Sequence, residues 1–350
     1  MQHWFYRQIY QPKNNHRYIL KSKTFSKRRR SLFLVVFLII FIGFGIYLVK
    51  FLSTHQQSTQ ENSGKILGMT SFQLPNIDKL NRLPPKRISN TPKINIPAKS
   101  VVLIDADTKY PLYLKNERAR VPIASLSKIM TALIALENYQ LDDTVTITRQ
   151  DINGTGSKIH LLNGEKISVH SLLYGLLIAS GNDSAYALAS LIPNSGDSRY
   201  HLFVEKMNKK ATILGLKDTK FNDPAGLDDK GLSTAYDLAI LTAYALQNPN
   251  FADIVMTVQK DITSINGKIV HKLKNSNRLI IPDESFYYQQ AIGIKTGYTE
   301  GAGHCLIAAA KNNNHLLLSV ILNTNYPSKS ESARLSKELL QWGFNSFAWN

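Results

Sequence analysis

Cysteine is almost absent from this chain of 350 residues, and its scarcity excludes several classes of protein. The single cysteine, Cys305, cannot form an intrachain disulfide, and the sequence contains no C-x-x-C pair. The nine histidines include no H-E-x-x-H run, so the usual signatures of structural zinc, thiol redox chemistry and zinc peptidases are missing. We therefore expect a fold held together by packing alone, with no metal and no other cofactor.

Acidic residues are absent from the N-terminal segment. Residues 1–30 contain nine lysines and arginines and no Asp or Glu, so about half of the net charge of +17 lies there. Because this charge is concentrated in a short arm and is not spread over a folded surface, it does not indicate a nucleic-acid-binding face. We expect no nucleic-acid partner.

A long apolar run explains the basic arm. Residues 32–49 (LFLVVFLIIFIGFGIYLV) carry no charge, and as a helix they would span about 27 Å, close to the hydrocarbon thickness of a bilayer. The basic residues before the run place the N-terminus in the cytoplasm. A cleaved signal peptide is the alternative, but the run is longer than such segments and no A-x-A-like site follows. We predict a basic cytoplasmic arm over 1–30, a transmembrane helix over 31–52, and a single-pass cell-membrane protein whose remainder is extracytoplasmic.

Beyond the membrane segment the chain divides into a linker and one domain. Residues 53–98 are polar and contain five of the thirteen prolines, so we expect an extracytoplasmic linker over 53–96. Residues 97–350 have the size of one large globular domain. Apolar runs predict strand pairs near both ends of this domain, at 101–114 and 305–322, and helical periodicity fills its middle. This order predicts an α+β fold whose two ends share one sheet.

The first motif with chemical meaning is Ser125-Leu126-Ser127-Lys128, which opens an amphipathic helix. At a helix start the backbone N–H of Ser125 points out of the helix, where developing negative charge is favoured. Lys128 lies one turn later on the same face, where its amine can take the serine proton if burial lowers its pKa. The alternative is a serine N-cap beside a solvated lysine.

The second motif is Ser180-Gly181-Asn182, which lies between two predicted helices. A tight connection of this kind can hold a hydroxyl and an amide over a cleft, although an ordinary helix-linking turn has the same composition. Ser264-Ile265-Asn266 has a similar pattern, but the following Gly267 completes an Asn-Gly hairpin turn, so we set that segment aside.

The third motif is Lys295-Thr296-Gly297, followed by Tyr298. In a strand Lys295 and Gly297 share a face, and a glycine there allows an extended peptide to run beside the strand. We expect Lys295 and Thr296 to meet a carboxylate. The alternative is an exposed edge strand carrying a protective lysine.

The trio S-x-x-K, S-x-N and K-T-G, in this order, is typical of serine β-lactamases and penicillin-binding proteins. Over about residues 97–347 the sequence resembles the D-alanyl-D-alanine carboxypeptidase family of low-molecular-mass penicillin-binding proteins. The resemblance rests on PIASLSKIMT (122–131), LIASGNDSA (177–185), FVEKMN (203–208), FNDPAGL (221–227), STAYD (233–237), GIKTGYT (293–299) and LLQWGF (339–344). It implies an antiparallel sheet flanked by helices, with a mainly helical subdomain.

The resemblance also implies a reaction and its residues. A serine carboxypeptidase would remove the terminal D-alanine from peptidoglycan stem peptides through an acyl-enzyme on Ser125, with Lys128 as general base. The backbone N–H groups of Ser125 and Tyr298 would bind the oxyanion. The same serine would be trapped by β-lactams acting as inhibitors.

The same resemblance, together with the strand pattern at Gly297, gives roles to five further residues. Ser180, linked to Lys295, would pass a proton to the leaving D-alanine. Asn182 would hold the substrate amide, and Thr296 with Lys295 would hold the terminal carboxylate. Gly297 would allow the substrate to lie beside the strand.

The sequence departs from the family pattern near its end. Family members usually carry an arginine just ahead of the last helix, and it assists carboxylate binding. That place falls on Ser332 here, with Arg334 nearby, and we assign Arg334 no role. Ser184 stands where alanine is common.

Three other functions remain open. A D,D-endopeptidase acting on crosslinked peptidoglycan uses the same catalytic set. A β-lactamase of the class A type needs a glutamate between the second and third motifs, and only Glu205 and Glu284 lie there, neither in an E-x-x-x-N setting. A non-catalytic wall-binding domain would be expected to have lost its nucleophile or base. His304 and Cys305 have no catalytic partner at a recognisable spacing, so we expect them to be structural.

Overall fold

A computed structural model describes residues 83–193, 199–324, 328 and 330–349 of the chain. The predicted basic arm, the predicted transmembrane helix and most of the predicted linker lie outside these residues. Within the described ranges, the helices are too short or too polar to span a bilayer.

The secondary structure elements are numbered here along the chain. The strands are β1 (Lys86–Arg87), β2 (Ala98–Asp105), β3 (Pro111–Lys115), β4 (Val121–Pro122), β5 (Thr144–Thr146), β6 (Lys166–Ser168), β7 (Leu232–Ser233), β8 (Gln259–Thr263), β9 (Val270–Lys274), β10 (Ala291–Thr299), β11 (Gly303–Asn312), β12 (His315–Thr324) and β13 (Phe347–Ala348). The helices are α1 (Lys128–Asn138), α2 (Arg149–Ile152), α3 (Val169–Leu177), α4 (Asn182–Ala189), α5 (Arg199–Ile213), α6 (Ala235–Ala245), α7 (Pro249–Met256) and α8 (Glu331–Ser346).

An antiparallel sheet of five strands forms the framework, in the order β10-β11-β12-β2-β3. The first long strand of the domain pairs with the last one, since β2 lies beside β12 with Val102 opposite Val320. The prediction that both ends of the domain share one sheet is therefore confirmed. Strand β10, which carries the third motif, forms one edge of the sheet, so one row of its backbone groups faces away from β11.

Helices cover both faces of the sheet, which explains why the inner residues of β11 and β12 are buried on both sides. Helix α8 buries Leu335, Leu339 and Leu340 against one face, and each fully buried leucine contributes about 1.5–3 kcal/mol. The other face packs against a larger cluster that includes α1, α3, α4 and α6. The helical cluster and β10 together hold the three motifs.

Part of the predicted linker packs onto the domain. Strand β1 pairs with β13, placing Lys86 opposite Ala348. The indole N–H of Trp342 donates to the carbonyl of Pro92 at 2.8 Å, and Ile96 is fully buried. The packed structure therefore begins at least ten residues before residue 97. The sequence pattern did not reveal this, because extended, proline-containing backbone can dock on an aromatic surface as well as link two domains.

The predicted hairpins are present with slightly different bounds. The two strand pairs near the ends of the domain correspond to β2–β3 and β11–β12. Strands β8 and β9 form a further hairpin, with Ser264 and Asn266 hydrogen-bonded to each other in its turn, as expected for the segment that we set aside. The short helix α7 was not predicted from the sequence.

Candidate active site

Ser125 and Lys128 lie in hydrogen-bonding contact. Ser125 belongs to a 3-10 turn, Ala124–Ser127, and α1 begins only at Lys128. The predicted helix start is thus displaced by one turn, but the serine and the lysine still meet, with Lys128 Nζ 2.8 Å from Ser125 Oγ. Lys128 is completely buried, so the alternative of a serine N-cap beside a solvated lysine is wrong.

Two further oxygens surround the Lys128 amine. Its Nζ donates to Asn182 Oδ1 at 2.7 Å and to the backbone carbonyl of Ala225 at 2.7 Å. Burial lowers the pKa of Lys128 from 10.5 to about 7, although the negative charges of Asp223 and Asp183 oppose this shift. A substantial fraction of the amine is therefore neutral near pH 7.

Ser180 and Lys295 form a second hydroxyl–amine pair. Lys295 Nζ donates to Ser180 Oγ at 2.8 Å and to the carbonyl of Thr296 at 3.0 Å. Lys295 is 1% exposed, so the alternative of an exposed, protective edge lysine is wrong. Burial lowers the pKa of Lys295 well below 10.5, and the charge of Lys128 lowers it further. Both amines are thus buried, and each bonds to a residue of the Ser180–Asn182 segment.

Asn182 links Lys128 to the loop at residues 155–157. While its Oδ1 accepts from Lys128, its Nδ2 donates to the carbonyl of Thr155 at 2.6 Å. Its backbone N–H donates to the carbonyl of Ser157 at 2.7 Å. The side chain lies in the site as predicted, and its existing bonds also fix the position of Lys128 and of the loop around residue 156.

A loop that the motifs did not single out supplies the third oxygen around Lys128. Asp223 Oδ1 accepts from the backbone N–H groups of Ala225 and Gly226 at 2.7 and 2.6 Å. Gly226 has a φ of +75°, and a Cβ there would lie 1.9 Å from the carbonyl oxygen of Ala124. Only glycine allows this loop to lie against the turn that carries Ser125.

The third motif completes the cleft. A Cβ on Gly297 would lie 3.1 Å from the Ile123 carbonyl oxygen, so glycine allows the turn of Ser125 to pack directly on β10. The space predicted for a ligand beside this glycine is thus partly filled by that turn. Thr296 Oγ1 lies 2.6 Å from Ser276 Oγ, and the Tyr298 side chain is 56% exposed and stacks on His304.

Comparisons with known proteins assign the fold. A model of the D-alanyl-D-alanine carboxypeptidase family, peptidase S11, matches residues 86–326. The chain belongs to this family. The D-alanyl-D-alanine carboxypeptidase DacF of Bacillus subtilis is 38% identical over 71% of this chain, and the match spans 63% of that relative's length. The D-alanyl-D-alanine endopeptidase of Escherichia coli is 30% identical over 67% of this chain and 75% of its own.

A solved structure agrees with the family match. The crystal structure of the Streptomyces K15 DD-transpeptidase is 31% identical, with a TM-score of 0.67, and the similarity covers 73% of this chain and all of that one. The similarity to a DD-transpeptidase supports the predicted class, an α+β fold with an antiparallel sheet.

The two residues near the end of the chain that depart from the S11 family pattern both lie in α8. Arg334 is bonded to Glu331 and Glu338 on its own helix, and Ser332 is buried. Neither supplies a guanidinium to the pocket.

The two glutamates considered for β-lactamase chemistry are paired elsewhere. Glu205 is exposed and lies 3.4 Å from His201 on the same helix, and Glu284 lies 3.8 Å from Arg278. Cys305 is buried in the sheet, and burial raises the pKa of its thiol to about 12, in keeping with a structural role.

Sequence reasoning missed three contributors to the site: the Ala225 carbonyl, the carboxylate of Asp223 and the hydroxyl of Ser276. The first is a backbone atom and gives no side-chain signal. The Asp-Pro-Ala-Gly run at 223–226 indicates a tight turn, but the contact of that turn with Lys128 depends on the tertiary fold.

Proposed function

We propose that this protein is a serine D,D-carboxypeptidase, which removes the terminal D-alanine of peptidoglycan stem peptides through an acyl-enzyme on Ser125. The observation that carries the proposal is the contact of 2.8 Å between Oγ of the partly exposed Ser125 and Nζ of the buried Lys128. A serine hydroxyl is a weak nucleophile until a base within hydrogen-bond reach takes its proton. Lys128, with its pKa lowered to about 7, meets both requirements.

The contacts of Lys128 orient it for this task. A neutral amine has two N–H donors and one lone pair. The carbonyls of Asn182 and Ala225 accept the two N–H groups, so the lone pair is directed at the hydroxyl of Ser125. As Ser125 Oγ bonds to the penultimate carbonyl carbon, its proton passes to Lys128 Nζ, which becomes an ammonium.

Negative charge develops on the substrate carbonyl oxygen during this attack. The proposed donors are the backbone N–H groups of Ser125 and Tyr298, which lie on two segments held together at Gly297. Losing one such donor costs about 100-fold or more in rate. Strand β10 is an edge strand, so an extended peptide can pair along it.

The leaving D-alanine needs a proton on its nitrogen as the amide bond breaks. Ser180 Oγ is the proposed donor, since it is bonded to Lys295 Nζ and can be reprotonated from it. Asn182 would contact the substrate amide, and Lys295 with Thr296 would attract the terminal carboxylate. Lys128 would then pass the proton taken from Ser125 to the Ser180–Lys295 pair and become neutral again. Water would attack the ester on Ser125 with Lys128 as base, and the proton taken from water would go to Ser125 Oγ as the acyl group leaves.

We also propose that the protein is anchored in the cell membrane and that β-lactams inhibit it. The apolar run at 32–49 would hold the chain in the membrane with its catalytic domain on the extracytoplasmic side, where peptidoglycan lies. β-Lactams, whose strained amide carries a nearby carboxylate, would acylate Ser125.

The test uses the full-length protein in detergent with an N-acylated pentapeptide ending in D-Ala-D-Ala. Wild-type protein should release one D-alanine per peptide and become labelled by a fluorescent penicillin. Ser125→Ala should do neither while keeping the thermal unfolding temperature of the wild type. Release of D-alanine by Ser125→Ala would contradict the proposal.

A D,D-endopeptidase is the second candidate, because two relatives of 30% identity are named D-alanyl-D-alanine endopeptidases. Crosslinked muropeptide dimers distinguish the two activities: an endopeptidase converts dimers to monomers faster than it trims pentapeptides. Sustained turnover of a chromogenic cephalosporin, without a burst and a stop, would instead indicate a β-lactamase.

A further inference from the structure

Two hydroxyl groups meet on the accessible side of β10. Ser276 Oγ lies 2.6 Å from Thr296 Oγ1, and in contrast to the buried amines Ser276 is exposed and Thr296 partly so. We propose that Ser276 acts with Thr296 as a two-hydroxyl clamp for the C-terminal carboxylate of the substrate, so that Ser276 determines the preference for a free carboxyl end. This inference rests on the proposed carboxypeptidase function.

The backbone around Ser276 is rigidly held. The serine stands between two buried asparagines, Asn275 and Asn277. Asn275 Nδ2 donates to the carbonyl of Thr257 at 2.9 Å, and its Oδ1 accepts from the backbone N–H of Asn277 at 2.9 Å. A serine presented between two fixed residues loses little conformational entropy on binding a ligand.

Ser276 is also tied to the catalytic segment. Its backbone N–H donates to the carbonyl of Ile178 at 3.0 Å, two residues before Ser180. On the opposite side, Thr296 follows Lys295, whose amine bonds Ser180. The hydroxyl pair therefore lies beside the Ser180–Lys295 pair, where the leaving D-alanine and its carboxylate would be.

The chemistry of the pair suits a carboxylate. In the contact seen here one hydroxyl donates to the other, which leaves one O–H and several lone pairs for a ligand. Rotation of the two O–H bonds lets each hydroxyl donate to a different carboxylate oxygen. Hydrogen bonds to an ionised acceptor are stronger than those between neutral groups, so the anion outcompetes the hydroxyl–hydroxyl bond.

Two exposed lysines on β9 precede Ser276, and the first of them pairs across the hairpin with Asp261. Lys272 and Lys274 are exposed and alternate along β9 in the direction of Ser276, so they share the accessible side of the strand. The nearest arginine in the sequence points elsewhere, because Arg278 donates to Ser330 Oγ at 2.6 Å. The two hydroxyl groups would thus take the place of the arginine that the family pattern places near the last helix.

The experiment compares one N-acylated D-Ala-D-Ala peptide with its C-terminal carboxamide, in the full-length protein. Ser276→Ala should lower kcat/KM for the free acid about tenfold or more, mainly through KM, and leave the carboxamide unchanged. Ser276→Thr keeps the hydroxyl and should retain the preference for the acid. Ser264→Ala, at the turn of the preceding hairpin, is the matched control and should change neither substrate.

Several results would overturn the inference. They are an equal loss on acid and carboxamide in Ser276→Ala, no loss on either, or an equal loss of acid preference in Arg278→Ala. If wild-type protein releases no D-alanine, the carboxypeptidase proposal fails separately. The clamp is then tested by acylation with benzylpenicillin and its methyl ester, where Ser276→Ala should slow only the free acid, and wild-type protein that neither compound acylates would refute the clamp as well.

Discussion

Replacing Gly226 by alanine should damage both the stability of this protein and the geometry of its candidate active site. At this position φ is +75°, and the added Cβ would lie 1.9 Å from the carbonyl oxygen of Ala124 and 2.9 Å from Ser127 Oγ. The left-handed conformation alone costs an alanine about 1–2 kcal/mol. Overlap with a backbone oxygen forces the chain to move, which adds about 1–3 kcal/mol.

The chain offers a matched control at Gly267. Its φ is +72°, but a Cβ there would meet nothing within 4 Å. Gly267→Ala should therefore lose only the conformational part, about 1–2 kcal/mol, and keep full activity. The difference between the two variants isolates the contact between the 223–226 loop and the turn of Ser125.

Two measurements on the full-length protein test this expectation. Thermal unfolding, followed by near-ultraviolet circular dichroism, should show a clearly larger loss in Gly226→Ala than in Gly267→Ala. Acylation by a fluorescent penicillin should slow about 100-fold in Gly226→Ala, because displacement of a reacting group by about 1 Å has that effect. Equal stability losses in the two variants, or unchanged acylation in Gly226→Ala, would refute the reasoning.

Two other predictions concern residues outside the three motifs. The buried thiol of Cys305, with its pKa raised to about 12, should react with a thiol reagent at pH 8 only after unfolding, and rapid labelling of the native protein would contradict its burial. Asp183 is buried and accepts from three backbone N–H groups, those of Ile159, Leu161 and Ser184. Asp183→Ala should destabilise the protein by about 2 kcal/mol or more. As a control, replacing the exposed Asp261 by alanine should change stability by less than about 0.5 kcal/mol. Equal losses in thermal unfolding would show that the bonds to Asp183 contribute little.

The side chains of the candidate site could be predicted from the sequence because each one belongs to a short pattern with its own chemistry. Ser125, Lys128, Ser180 and Lys295 were all named from such patterns, and the structure brings them into two contacting pairs. The shared sheet was predicted for a similar reason, since strands leave a clear apolar pattern at both ends of the domain.

What the sequence did not predict depends on contacts between distant segments. The carbonyl oxygen of Ala225 bonds Lys128 across 97 residues, and any residue type provides a carbonyl. Ser276 resembles any exposed serine until the fold brings it to Thr296. The docking of β1 on β13 was hidden because prolines suit an extended docked segment and a linker equally well.

If Lys128 is the base for Ser125, the activity must depend on pH in a defined way. The base must be neutral to accept the serine proton, so activity is present above the pKa of Lys128 and is lost as the pH falls through it. With that pKa near 7, the neutral fraction falls about tenfold for each pH unit below 7. Above pH 8 the amine is almost wholly neutral.

The most direct test is the second-order rate constant for acylation of Ser125 by benzylpenicillin, measured on the full-length protein from about pH 5 to 9. The rate should rise about tenfold per unit at low pH and level off above a midpoint near 7. A profile that is still rising about tenfold per unit at pH 9, as an ordinary lysine would give, or one that stays flat down to pH 5, would contradict a neutral Lys128 as the base.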